Sequence, residues 1–442
     1  MNRTAIRALT LGFLAAASAS CGRPVPPATS ASPVPRETVP PPAGAGKLAP
    51  GQPLTAAQRH WVDSTLASLT LRQRIAQMVS IWVMGDFANE RDPGYAQLVE
   101  WIEKDGVGSM TMSVGSPIDV AVKLNALQQH AAIPLLVHSD LEPGLGRLEG
   151  GIFVPSMLYG GSATVFPTAM AMGAANSDSL TYAAAYAIGR EARAVGIQVV
   201  FGPVADVNNN PANPVINTRS FGEDPAAVAR LTSEFVRGLQ DAGALATAKH
   251  FPGHGDTDTD SHLALPVVKS DRAQLDTVEL VPFRAAIAAG VSGVMSAHIA
   301  LPAVEGDNAP ATLAPRVMTD LLRDTLHFRG MAYTDALTMD AIGEGYPIER
   351  SSVLAVQAGA DVLLKPSDVR RAIDAVEQAV VAGTIPAARI DSSARRILEA
   401  KALVGLNVAR TVSLDGVRRE VGSPEHWSVA DAIAGRAITL LR

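Results

Sequence analysis

The chain has 442 residues, of which 47% are hydrophobic and 18% charged, with a net charge of −6. That composition supports a large buried core and offers no basic stripe, which excludes nucleic acid as a partner. A single cysteine, Cys21, excludes an internal disulfide.

Arg3 and Arg7 precede the short apolar stretch LTLGFLAAASAS, and Cys21 follows Ser18-Ala19-Ser20. The stretch is too short to span a bilayer and ends in the small residues of a cleavage site. Residues 1–20 resemble a bacterial lipoprotein signal peptide. On that resemblance Cys21 carries a lipid that is the only membrane contact of an exported, envelope-anchored monomer. The alternative is an ordinary signal peptide with an incidental cysteine. Residues 21–53 are rich in Pro, Ala and Gly with no apolar period, the composition of an extended linker.

From Leu54 the texture changes. AAQRHWVDSTLASL has helical apolar spacing. Eight short apolar runs then recur: IAQMVSIWV, GVGSMTMS, IPLLVHSD, GIQVVFGPVAD, GALATAKH, GVSGVMSAH, GMAYTDAL and GADVLLKP. Amphipathic stretches such as SLTYAAAYAIGREARAVG and DPAAVARLTSEFVRGLQDAG lie between them and end in glycine, a helix-stop signal. Buried parallel strands read as continuous apolar runs, so the pattern predicts an α/β chain of βαβ units over 54–409. Eight runs fit a (β/α)8 TIM-type barrel, with a doubly wound sheet as the alternative. Asp140, Asp206, Lys249-His250, His298 and Asp335 each end a different run. In a barrel those ends converge on one face. Residues 410–442 form a short helical C-terminal extension.

The stretch Lys249–Pro266, KHFPGHGDTDTDSHLALP, gathers three histidines and three aspartates. His250 and His254 enclose Pro252 and Gly253, so they are not the helical pair of a zinc hydrolase, and no metal or cofactor is expected. Asp260-Ser261-His262 supplies an imidazole with a carboxylate that can fix its tautomer, the parts of a general acid/base. Glycines and prolines would let the segment turn sharply over a site.

KHFPGHGDTDTDSHLALP closely resembles the signature of bacterial β-N-acetylglucosaminidases of glycoside hydrolase family 3. FGPVADVNNNPANPVINTRSFGEDP and NAPATLAPRVMTDLLRDTLHFRGMAYTDALTMDAI resemble two further segments of that family, and the likeness covers about Leu66 to Leu403. It implies a (β/α)8 barrel that hydrolyses a carbohydrate substrate with retention. Asp335 would be the nucleophile, His262 the acid/base and Asp260 its carboxylate partner. Asp140, Arg147, Arg219, Lys249 and His250 would hold sugar. Asp206 would brace the barrel mouth, and His254, Asp256 and Asp258 would shape the loop.

Two segments depart from the pattern. DLEPGLGRLEGG has Pro143 where the family carries glycine, brings its arginine late at Arg147, and leads into a lengthened loop closer to two-domain β-glucosidases. The ending AIAGRAITLLR resembles the lead into a second domain, so 410–442 reads as a linker remnant or as the end of a truncated chain. A β-glucosidase and a non-catalytic glycan-binding lipoprotein are therefore the competing expectations. A histidine acid/base also repels phosphate less than a carboxylate would, which makes some phosphorolysis an expectation.

Overall fold

The computed structural model describes residues 53–149, 163–343 and 345–439. The signal segment, Cys21, the linker up to residue 52 and most of the lengthened loop after Arg147 lie outside the described residues.

Thr55 and Thr70 open the domain, each closing a capping box with a glutamine three residues on (Gln58 and Gln73). Each threonine oxygen satisfies an otherwise orphaned helix N–H, worth about 1 kcal/mol. The helix Ala56–Ser68 packs on the late helix Ala387–Leu403, and Leu71–Gln77 leads into the first strand. Eight strands follow: β1 Val79–Met84, β2 Ser109–Ser113, β3 Leu136–Ser139 and β4 Val199–Val200. The second four are β5 Leu245–Phe251, β6 Gly293–Ser296, β7 Met331–Tyr333 and β8 Leu363–Leu364. Each falls in one of the eight apolar runs, with β1 and β5 extending one residue past theirs.

The strands pair in parallel in the order β7-β6-β5-β4-β3-β2-β1-β8. A parallel bridge between Tyr333 and Val362 joins β7 to β8 and closes the barrel. Helices separate consecutive strands; the two glycine-ended stretches form Asp178–Ala194 and Pro225–Asp241. Inside the barrel His138 stacks on Phe201 at 5.2 Å and meets Tyr333 edge-on at 5.3 Å. These side chains fill the interior, as bulky residues do in such barrels.

The two ends of the barrel carry different chemistry. Asp361, just before β8, is fully buried and takes contacts from Arg323 at 2.7 Å, Arg396 at 3.0 Å and Arg389 at 3.3 Å. This cluster sits at the strand N-termini, the face whose polar residues serve stability. The candidate site residues lie at the opposite, C-terminal ends.

The extension contains helices Leu414–Glu420 and Pro424–Arg436, which pack on Pro117–His130, Ala169–Ala175 and Asp178–Ala194. Arg190 grips Glu420 through two contacts of 2.7 and 2.6 Å. The buried Glu191 accepts the Gly422 N–H at 2.9 Å and the His426 ring nitrogen at 2.8 Å. It also accepts the Thr164 hydroxyl at 2.6 Å and the Thr164 N–H at 3.0 Å. One carboxylate thus ties the extension to the far end of the β3 loop.

Candidate active site

A cavity of about 570 Å³ opens among the loops that follow the strands. Asp140, Arg147, Arg219, Lys249, His250, His262 and Asp335 all line it. Residues from 140 to 335 in the sequence are thus brought to one place by the convergence of strand ends.

Asp335 follows β7, and its carboxylate accepts the Ala336 N–H at 2.7 Å. Burial alone would raise its pKa. The fields of His298 and His250, the Ala336 N–H and the charge of Lys249 outweigh burial and hold the group below its ordinary value. Asp335 is therefore an anion at neutral pH. His298, after β6, places Nε2 3.0 Å from the Ala336 carbonyl and so fastens the backbone beside that anion.

Lys249 ends the run on β5 and is 1% exposed. Its ammonium lies 2.6 Å from Asp140 and 2.7 Å from Glu142. Two of its three N–H donors are thereby occupied, leaving one for the cavity. Arg219 reaches the same Glu142 oxygen at 2.7 Å, and Arg147 donates to the Asp140 carbonyl at 2.9 Å. Burial would raise the Glu142 carboxyl, but Lys249, Arg219 and Arg147 hold it well below the usual range. Sequence reasoning passed over Glu142, although it stands two residues after Asp140 in DLEPG.

Asp206 is fully buried and does not line the cavity. Its carboxylate accepts the His250 N–H at 3.1 Å, the His254 N–H at 2.7 Å and the His250 Nδ1 at 2.8 Å. It braces the barrel mouth. Because that carboxylate only accepts, Nδ1 of His250 is the donor to it.

The loop after His250 needs its glycines at two positions. Gly253 has φ +135° with Glu279 beside it, and a Cβ on Gly255 would lie 1.7 Å from the Val207 carbonyl. Asn213 stitches the crossing by donating to the His254 and Gly255 carbonyls at 2.8 and 2.9 Å. His254 spans Thr257 at 2.8 Å and Ser261 at 3.1 Å, while Asp256 lies near Ser270 and Gln274 and Asp258 accepts from Thr259. The loop ends across the cavity, where the Ala341 N–H reaches the Ser261 carbonyl at 3.4 Å. The rings of the three loop histidines therefore go to three different sets of partners.

At the loop's crest, Asp260 Oδ1 accepts the His262 N–H at 2.8 Å and lies 2.8 Å from its Nδ1. Burial would raise Asp260, but the His262 N–H, ring and charge, with that of His254, keep it below its ordinary value. An ionised Asp260 fixes Nδ1–H as the donor and leaves Nε2 for proton exchange. His262 is 60% exposed and faces the cavity, so substrate and solvent can both reach it.

His254 also sets an acid limit. Burial, with the neighbouring His250, pushes its pKa down to about 4. Its unfolded value is about 6.5. The folded value is the lower one, so this contribution is full above pH 6.5 and lost as the pH falls towards 4. The urea midpoint should therefore drop between pH 7 and pH 4.5, and His254→Asn should drop less across that interval. Parallel curves for the two proteins would count against this origin.

Over 392 residues the chain is 33% identical to a beta-N-acetylglucosaminidase/beta-glucosidase of Cellulomonas fimi, covering 86% of this chain and 66% of that protein. The chain thus spans just under two thirds of that relative. The structure of a family 3 beta-N-acetylglucosaminidase from Paenibacillus sp. str. FPU-7 superposes with a TM-score of 0.75 at 41% identity, covering 85% of this chain and 70% of that one. The beta-glucoside phosphorylase BglX bound to 2FGlc superposes with a TM-score of 0.77 at 26% identity, covering 86% and 67%. Residues 70–400 match the Glycosyl hydrolase family 3 N terminal domain. With the closed barrel and the cavity at its C-terminal face, this places the chain in glycosyl hydrolase family 3.

Proposed function

We propose that the chain is a retaining, exo-acting β-N-acetylglucosaminidase that releases terminal β-linked N-acetylglucosamine from peptidoglycan- or chitin-derived fragments. The observation that carries this reading is the pair of groups opening onto one cavity: the Asp335 anion and the Asp260-oriented His262. In the first step Asp335 attacks the anomeric carbon, the bond to the leaving oxygen breaks, and His262 Nε2 gives that oxygen its proton. Next, His262 takes a proton from water, the water attacks the same carbon, and Asp335 is released. The sugar hydroxyls meet Asp140, Arg219, Lys249 and His250. The name of the Paenibacillus relative favours N-acetylglucosamine as the sugar, and that of the Cellulomonas relative includes it beside glucose. Export and lipid anchoring at Cys21 belong to the same proposal and rest on the N-terminal sequence.

Activity on nitrophenyl β-N-acetylglucosaminide against nitrophenyl β-glucoside tests the sugar. His262→Ala tests the acid. An activated nitrophenolate leaves with little help, whereas a sugar alcohol must be protonated. The variant should lose about 10²- to 10⁴-fold on chitobiose and much less on the nitrophenyl substrate. Equal losses on both would remove His262 from proton transfer.

A second reading has its own support. The proton-transfer group is an imidazole, and the cavity also presents Arg147, Arg219, Lys249 and Lys365, surroundings that admit an anionic acceptor. Phosphorolysis would then accompany hydrolysis, and absence of sugar 1-phosphate at high phosphate would end that reading.

A further inference from the structure

One part of the cavity wall has no task in the hydrolysis described above. Lys365 ends the eighth apolar run directly after β8, and Trp82 lies on the neighbouring β1. Both line the same cavity as Asp335. The Lys365 ammonium sits 3.7 Å from the centroid of the Trp82 indole. Its backbone N–H donates to the Ser80 carbonyl at 2.9 Å, continuing the β8–β1 ladder. At that point the backbone turns left-handed, with φ +46°. Such a conformation favours glycine or asparagine, yet a lysine stands there. A side chain kept in a costly conformation beside a reactive group points to a task.

The other cations of the cavity are engaged. Lys249 and Arg219 meet carboxylates, and Arg147 meets the Asp140 carbonyl. Lys365 has no ion pair among the described residues. Its ammonium meets the Trp82 indole, and Thr111 and Ser113 on β2 with Ala336, Thr338 and Met339 after β7 line the same cavity. An aromatic face holds an ammonium in place without neutralising it. The charge is therefore fixed in position and still available to a ligand. Trp82 itself is 43% exposed, turned out of a strand whose Val79, Ser80, Ile81 and Val83 are buried.

We propose that Trp82 and Lys365 form an acceptor position that recognises a carboxylate on the sugar next to the cleaved N-acetylglucosamine. Carboxylates occur on sugars either as a lactyl ether or as a uronic acid, and both present the same charge to an ammonium beside an apolar ring. This inference rests on the glycosidase reading above and adds a specificity to it.

The test compares three disaccharides that share a terminal β1,4-linked N-acetylglucosamine. Their second sugars are N-acetylmuramic acid, glucuronic acid and N-acetylglucosamine. The full chain should show a higher kcat/KM on an acidic disaccharide than on the neutral one. A charge-assisted contact is worth about tenfold in that ratio. Lys365→Met should abolish the ratio, Lys365→Arg should restore most of it, and added salt should lower it in the wild type. Which acidic disaccharide gains more identifies the carboxylate. A ratio that is the same in wild type and Lys365→Met overturns the proposal, even where hydrolysis itself is intact. Absence of hydrolysis in the wild type would instead strike the glycosidase reading. Calorimetric binding of the same disaccharides to Asp335→Asn then answers the acceptor question without turnover. Equal affinities for the acidic and neutral ligands would overturn it there too.

Discussion

Replacement of Asp335 by Asn should lower the hydrolysis of nitrophenyl β-N-acetylglucosaminide by roughly four orders of magnitude while the barrel stays folded. The amide is nearly isosteric with the carboxylate and can still accept the Ala336 N–H that holds Asp335 Oδ1 at 2.7 Å. It cannot form the glycosyl ester. What remains is the help that His262 gives the leaving group and the positioning supplied by Lys249, His250 and Arg219. Azide should restore part of the rate, because a small anion can attack the anomeric carbon from the side that Asp335 vacates. The azide product would have the opposite configuration to the original glycoside, which polarimetry or NMR reads directly. A variant within tenfold of wild type would remove Asp335 as the nucleophile.

Lys249→Met should be nearly as damaging, for a different reason. Its ammonium is the buried bridge between Asp140 and Glu142. Removing one partner of a buried pair costs about 3–5 kcal/mol, because the other partner is left charged and unpaired. Here the cost should be near the low end, since Arg219 still meets Glu142 and Asp140 is 38% exposed. Activity should fall by about 10²- to 10³-fold, the loss expected when a donor aimed at substrate is removed. Stability and catalysis can be separated. Lys249→Met with Asp140→Asn removes the carboxylate left without a partner and should recover most of the lost urea midpoint, but little of the lost kcat/KM. Recovery of both together would reduce Lys249 to a structural counter-ion.

Much of the barrel was legible because its strands are buried on both sides. Such strands must be apolar without interruption, and each of the eight runs holds one. Run length was a poorer guide. GIQVVFGPVAD supplies only Val199–Val200 as regular strand, because Gly202-Pro203 interrupts the ladder and Pro203 has no N–H to give. The start of IAQMVSIWV belongs instead to the helix Leu71–Gln77. The candidate site residues were found by two signals, polar residues at run ends and the resemblance of the β5 loop. The first signal, applied to every run, would also have reached Lys365 in GADVLLKP. Glu142 was harder to see, because its meaning lies in contacts with Arg219 and Lys249, 77 and 107 residues away. Trp82 reads as core in an apolar run, and only the β1 register turns it towards the cavity.

Glu191 bears on where the domain can be cut. The family match ends at residue 400, yet the carboxylate that holds Thr164 also holds Gly422 and His426. A fragment trimmed to the match would keep all eight strands and every residue of the cavity. It would also open the buried Glu191 side chain to water at the base of the loop that carries Glu142 and Arg147. The smallest portable form of this barrel is therefore longer than its family boundary and runs to the end of the helix Pro424–Arg436.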